Sequence, residues 1–173
     1  MSSLPSQLKD LAHEVAGLLK DRKQTISVAE TAAGGLISAS ILSYPGASKI
    51  YRGGLTLYTL DSRIAFAGWT QADLDAYAGP SPDVVSNLAK NVQQKLESTY
   101  CVCESGTAGP TGGQTRNRQP GYVALAVSGP TGVNVKEVET SLGADREKNM
   151  LAFAEEAFKL VKDVILQGDT KSE

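Results

Sequence analysis

Residues 25–42 read TISVAETAAGGLISASIL, and the pattern changes half-way along. Thr25 to Ala29 form a short run rich in β-branched residues, which predicts a strand. Glu30, Thr31, Ala32, Ala33, Gly34 and Gly35 make a small-residue turn, and Leu36 to Leu42 return to helix-compatible residues. A strand, a tight turn and a helix in succession predict an α/β fold. Such a turn aims backbone N–H groups at a helix N-terminus, where the macrodipole favours an anion. It matches neither G-x-x-x-x-G-K-S/T nor G-x-G-x-x-G. A close strand–helix crossing that needs small residues accounts for the turn equally well. Glu30 is read either as a cap for the neighbouring backbone or as a ligand contact, with the cap favoured.

On the N-terminal side, Leu4, Leu8, Leu11, Val15, Leu18 and Leu19 recur at amphipathic-helix spacing, with Ser3 as N-cap and Pro5 in the first turn. His13 falls off that stripe and is expected on the solvated face. On the C-terminal side, Pro45-Gly46 ends the helix, and residues 51–58 (YRGGLTLY) predict a strand whose paired glycines suggest a bulge or a close backbone approach. Residues 61–68 and 70–77 predict short helices, the second opened by a Thr70/Asp73 capping box. Ser81-Pro82-Asp83 starts a helix carrying Val84, Val85, Leu88, Val92 and Leu96 on its inner stripe. Residues 100–104 predict a strand leading into a second glycine-rich loop, SGTAGPTGG (105–113), and then a polar segment, 114–119, expected to be mobile. Residues 121–128 and 133–140 bracket Gly129-Pro130-Thr131-Gly132 as a hairpin. A final helix starts near Asp145 and is expected to stop at Gly168. The whole predicts a three-layer α/β/α domain with a mixed sheet over residues 1–168 and a frayed tail at 169–173.

Composition narrows the chemistry. The 173 residues carry 17 Lys plus Arg against 19 Asp plus Glu, a net charge of −2, which offers no basic excess for nucleic acid. A single histidine, His13, excludes a His-rich metal site and leaves little for a Ser-His-Asp machine. Cys101 and Cys103 share one face of a strand and are read as buried small hydrophobes. No apolar run long enough to span a membrane and no signal peptide is present, so a cytoplasmic compartment is expected.

Two small-residue loops, each following a strand, are expected at one edge of the sheet, where open α/β sheets bind ligands. Thr31, Ala32, Ala33, Gly34 and Gly35 from the first and Ser105, Gly106 and Gly109 from the second would supply amide donors suited to a phosphorylated small molecule. Ser48, Tyr58 and Arg63 lie between the loops in sequence and are expected to line the same crevice. Arg146 is expected to add a bidentate phosphate clamp.

The strings SVAETAAGG (27–35), YPGASKIYRGGLTLYTLDSR (44–63), SGTAGPTGGQTRNRQPGYVALA (105–126) and GADREKNM (143–150) together resemble the CinA C-terminal domain family over about residues 5–167. The resemblance implies that family's fold and its amidase activity: hydrolysis of nicotinamide mononucleotide to nicotinate mononucleotide and ammonia. It also implies a stand-alone deamidase form, a homo-oligomer and a small-molecule nucleotide substrate, with no cofactor, metal, nucleic acid or membrane partner.

Five positions depart from the family pattern. Where A-E-S-C-T-G-G is usual, Thr31, Ala32 and Ala33 stand in place of Ser, Cys and Thr; Arg63 stands where a lysine is usual; and Met150 replaces a second arginine after Arg146. The resemblance implies Ser48 as nucleophile, Tyr58 as its assistant and loop amides as the oxyanion hole. An arginine side chain keeps its proton, so Arg63 is no general base, though it suits phosphate binding or carbonyl polarisation. Lys49 is a weaker replacement base, and Thr31 a replacement for the missing loop hydroxyl. An alternative follows from the same departures: a catalytically degenerate member that binds nucleotide or a protein partner.

Overall fold

Leu8, Ala12, Val15 and Leu19 close onto a single buried stripe and form α1 (Ser6–Asp21). The computed structural model describes residues 4–170, so the Ser3 cap lies outside the described residues; Pro5 itself occupies the N-cap position, with no side-chain hydrogen bond. β1 (Ile26–Glu30) is buried at every position, as expected of an interior parallel strand, and the small-residue turn after it leads into α2 (Leu36–Leu42). A single 3₁₀ turn, Ala47–Lys49, precedes β2 (Tyr51–Thr56), which alternates half-buried and exposed residues as an edge strand should. The paired glycines do mark a bulge. The register against β1 slips between Ile26 and Ser27, Gly53 has φ of 141°, and a Cβ on Gly54 would sit 2.5 Å from the Tyr51 hydroxyl.

Helices α3 (Leu60–Ala67), α4 (Gln71–Asp75) and α5 (Pro82–Leu96) follow, each opened by the side chain before it. Thr59 accepts from the Ser62 amide, Thr70 and Asp73 form the predicted capping box, and Ser81 accepts from the Val84 amide. β3 (Tyr100–Gly106) comes next, then a 3₁₀ turn at Arg116–Arg118, the hairpin strands β4 (Tyr122–Gly129) and β5 (Gly132–Glu139), and α6 (Arg146–Thr170). The last helix runs through Gly168 rather than stopping there. An interior glycine costs a helix about 1 kcal/mol without breaking it, and no left-handed residue ends the coil at that point.

The sheet order is β2-β1-β3-β4-β5; β2, β1 and β3 are parallel, and β4 runs antiparallel to both of its neighbours, β3 and β5. One face packs against α1, α2 and α6 through Val28, Val102, Leu125, Phe153 and Phe158. The other packs against α5 through Cys101, Cys103, Val85, Leu88 and Val92. The mixed-sheet, three-layer α/β/α architecture is therefore the one the sequence predicted. Both cysteines are free and fully buried, and burial pushes the Cys101 thiol up to about 12, so they behave as small hydrophobes. His13 is half-buried rather than solvated: it hydrogen-bonds the Ser43 hydroxyl at 3.0 Å and meets Tyr44 edge-on.

Candidate functional site

Because β1, β2 and β3 run parallel, their C-terminal ends share one edge, and a cavity of about 660 Å³ opens there. That volume falls in the range of small-molecule sites. Its wall includes Thr31, Ala32, Tyr58, Arg63, Ser105, Gly106, Gly109 and Arg146, so eight of the twelve predicted site residues converge. Ala33, Gly34 and Gly35 do not line it. Gly106 is needed for the approach of β3 to its neighbours, since a Cβ there would lie 2.6 Å from the Tyr122 carbonyl oxygen and 2.7 Å from the Phe153 ring.

Ser48 does not belong to this site. It is exposed on the 3₁₀ turn that precedes β2, at the opposite end of the strand from Tyr58. Six strand residues at about 3.3 Å each put the two roughly 20 Å apart. Lys49 shares that remote turn and supplies no base to the cavity. The expected attack of Ser48 on a substrate held by the loops therefore has no geometric basis.

The first loop also departs from expectation. The Thr31, Ala33 and Gly35 amides are satisfied from within by two fully buried carboxylates. Glu30 takes the Gly35 and Ile37 amides on one oxygen, and the Ser38 amide and hydroxyl on the other. It is the cap that α2 lacks locally, since Gly35 has no side chain to offer. Glu104 takes the Thr31 and Ala33 amides on Oε2, at 3.1 and 2.9 Å. Its Oε1 is buried without a hydrogen-bond partner. Burial pushes the Glu104 carboxyl up to about 7, against the opposing pull of those amides and with Glu30 adding like-charge repulsion. These N–H groups are spent on holding the turn and are not free for a phosphate.

Positive charge comes instead from side chains. Arg63 on α3 is only 3% exposed, donates Nε to the Leu57 carbonyl at 3.3 Å, and leaves Nη1 buried without a partner. Its guanidinium carbon lies 4.9 Å from the Trp69 ring centroid and 5.2 Å from that of Tyr77. Trp69 is therefore a platform for a buried cation as well as a packing residue. Arg146 anchors Nη1 on the Gly109 carbonyl and donates Nη2 to the hydroxyl of Tyr58, a residue 62% exposed. A third arginine, Arg118, was not anticipated. It lies in the 114–119 segment read as mobile, but that segment is tied down. Asn117 donates to the Ala78 and Pro80 carbonyls, Arg118 donates to Ala78, and Arg116 pairs with Glu137 and Glu139. The arginine-rich string itself was the available signal. Among the described residues no carboxylate lines the cavity, and no lysine or histidine does either. The wall's hydroxyls include a buried pair in which Thr31 donates to Ser105 at 3.2 Å.

Comparison with known proteins agrees with this architecture. The model of the CinA C-terminal domain matches residues 8–165. The chain belongs to the CinA C-terminal domain family. Among relatives, a CinA-like protein of Flavobacterium psychrophilum is 30% identical over 89% of this chain and 36% of its own length, and one of Shewanella piezotolerans is 36% identical over 72% and 29%. This CinA-family chain thus spans about a third of the length of those relatives. Among solved structures, competence/damage inducible protein CihA from Agrobacterium tumefaciens superposes with a TM-score of 0.86 at 25% identity, covering 94% of this chain and 98% of that one. A CinA superfamily protein from Escherichia coli gives a TM-score of 0.84 at 17% identity, covering 94% of each chain, a likeness of fold alone.

Proposed function

We propose that this chain binds a pyridine mononucleotide in the cavity at the sheet edge, as a family member that has lost carboxamide hydrolysis. The observation that carries the reading is that three arginines, Arg63, Arg118 and Arg146, line one cavity with no carboxylate among its walls. In this reading the phosphate sits at the mouth on Arg118 and Arg146, whose guanidinium groups keep further N–H donors beyond those bound to Ala78, Gly109 and Tyr58. The heterocycle points inward, beside Tyr77 and Arg63. Loss of hydrolysis follows from the residue types: the hydroxyls present have no adjacent lysine or histidine to take their proton, and an arginine does not serve as base.

A second reading, hydrolysis of the carboxamide at the same place, rests on the Thr31–Ser105 hydroxyl pair, either member of which is better placed than Ser48 to attack a bound amide.

Titration calorimetry with nicotinamide and nicotinate mononucleotides, run beside an ammonia-release assay, separates the two. The expected result is saturable binding by the wild type and by Ser48→Ala alike, with no ammonia released. Ammonia release that vanishes in Thr31→Val or Ser105→Ala would establish the second reading. Release that vanishes only in Ser48→Ala would restore the nucleophile the geometry removes.

A further inference from the structure

We infer that the inner wall of the cavity is a carboxylate site built on Arg63, so that the chain selects the acid over the amide form of its mononucleotide; this rests on the nucleotide reading above. Arg63 is a charged side chain taken almost wholly out of water, with no ion-pair partner among the described residues. Unpaired burial of a cation is costly, and the Trp69 and Tyr77 rings offset only part of that cost. The Nη1 group with no acceptor adds a further unmet hydrogen bond. A ligand anion supplies both the missing charge and the missing acceptor.

The geometry favours a carboxylate over a phosphate at this point. Arg63 is held from one side by the two rings, whose centroids are 5.8 Å apart, and from its Nε edge by the Leu57 carbonyl. Arg63 lines the cavity and its Nη1 has no acceptor among the described residues, and a guanidinium's flat fork matches a planar carboxylate. Desolvation scales with the square of charge, so moving a phosphate dianion to this buried wall costs about four times what a carboxylate monoanion costs. The exposed arginines at the mouth, Arg118 and Arg146, hold a dianion while leaving it partly hydrated. A pyridine ring with a carboxylate at one end and a ribose phosphate at the other meets both conditions. The carboxamide analogue is uncharged at the inner end and leaves Arg63 unneutralised.

The experiment compares nicotinate mononucleotide with nicotinamide mononucleotide by calorimetry on the wild type, Arg63→Met and Arg63→Lys. The acid form is expected to bind the wild type about 10- to 100-fold more tightly, the worth of a charge-assisted hydrogen bond. Arg63→Met is expected to bring the two within about threefold, chiefly by weakening the acid. Arg63→Lys keeps charge without the fork and is expected to fall between. Equal binding of the two by the wild type overturns the inference and leaves the nucleotide reading standing. Equal weakening of both ligands by Arg63→Met also overturns it, because Arg63 then holds something the two share. Binding of neither overturns the nucleotide reading itself. If thermal melts show that Arg63→Met does not fold, the wild-type ratio and Arg63→Lys decide.

Discussion

Glu30→Ala is expected to lower the stability of the fold by about 3–5 kcal/mol, the scale for removing one member of a buried charged network. The reason is local. The Glu30 side chain accepts from three backbone amides and the Ser38 hydroxyl, and it sits wholly out of water at the N-terminus of a seven-residue helix with no cap of its own. Removing it strands the Gly35, Ile37 and Ser38 amides and deletes the negative charge opposite the α2 dipole. For a chain of this length the melting temperature is expected to fall by on the order of 10 °C. Glu30→Gln retains one acceptor oxygen and is expected to lose about half as much. Denaturant titration checks both, and a loss below about 1 kcal/mol for Glu30→Ala would mean that water or another side chain takes over the cap.

The second large effect is a dependence on pH centred on Glu104. Its carboxyl is raised from an ordinary value of 4.5 to about 7 by burial, against the amides of Ala33 and Thr31, with Glu30 facing it as the neighbouring charge. A carboxyl raised on folding binds its proton more tightly in the folded chain, so protonation stabilises the fold. That stabilisation is complete below about pH 4.5 and is lost as pH rises through about 7. At about 1.4 kcal/mol per pKa unit the swing is on the order of 3 kcal/mol. Other carboxylates overlay their own dependence, so the measurement is a difference. The stability of the wild type minus that of Glu104→Gln is expected to fall by about 2–4 kcal/mol between pH 5 and pH 8. A flat difference would mean that the buried carboxyl keeps an ordinary affinity for its proton.

Much of the architecture was legible because the informative signals are local. Ser81-Pro82-Asp83 and Thr70 with Asp73 are capping chemistry that works within a single turn, and Gly53-Gly54 marks the bulge that β2 makes. The site was legible in part. Arg63, Tyr58 and Arg146 were found through motif register, and they do meet. The position of Ser48 is not legible from sequence proximity, which carries no strand direction. A residue that precedes a strand parallel to β1 lies at the edge opposite the loops that follow the strands. The fate of the first loop's amides was hidden for a different reason. Glu104 is 73 and 71 residues from the Thr31 and Ala33 amides it braces, and whether a carboxylate points beneath a loop depends on pleat and packing that no local pattern records. The placement of Arg118 has no local signal, because a polar segment has the same composition whether mobile or pinned, and what pins it is the bonding of Asn117 and Arg118 to carbonyls at residues 78 and 80 across the cavity rim.

The most direct test of the account is a crystal structure of the chain with nicotinate mononucleotide. The phosphate is expected within hydrogen-bond distance of Arg118 and Arg146 and the pyridine carboxylate on Arg63, with Ser48 untouched. Ligand bound beside Ser48, or at a surface away from all three arginines, would contradict it.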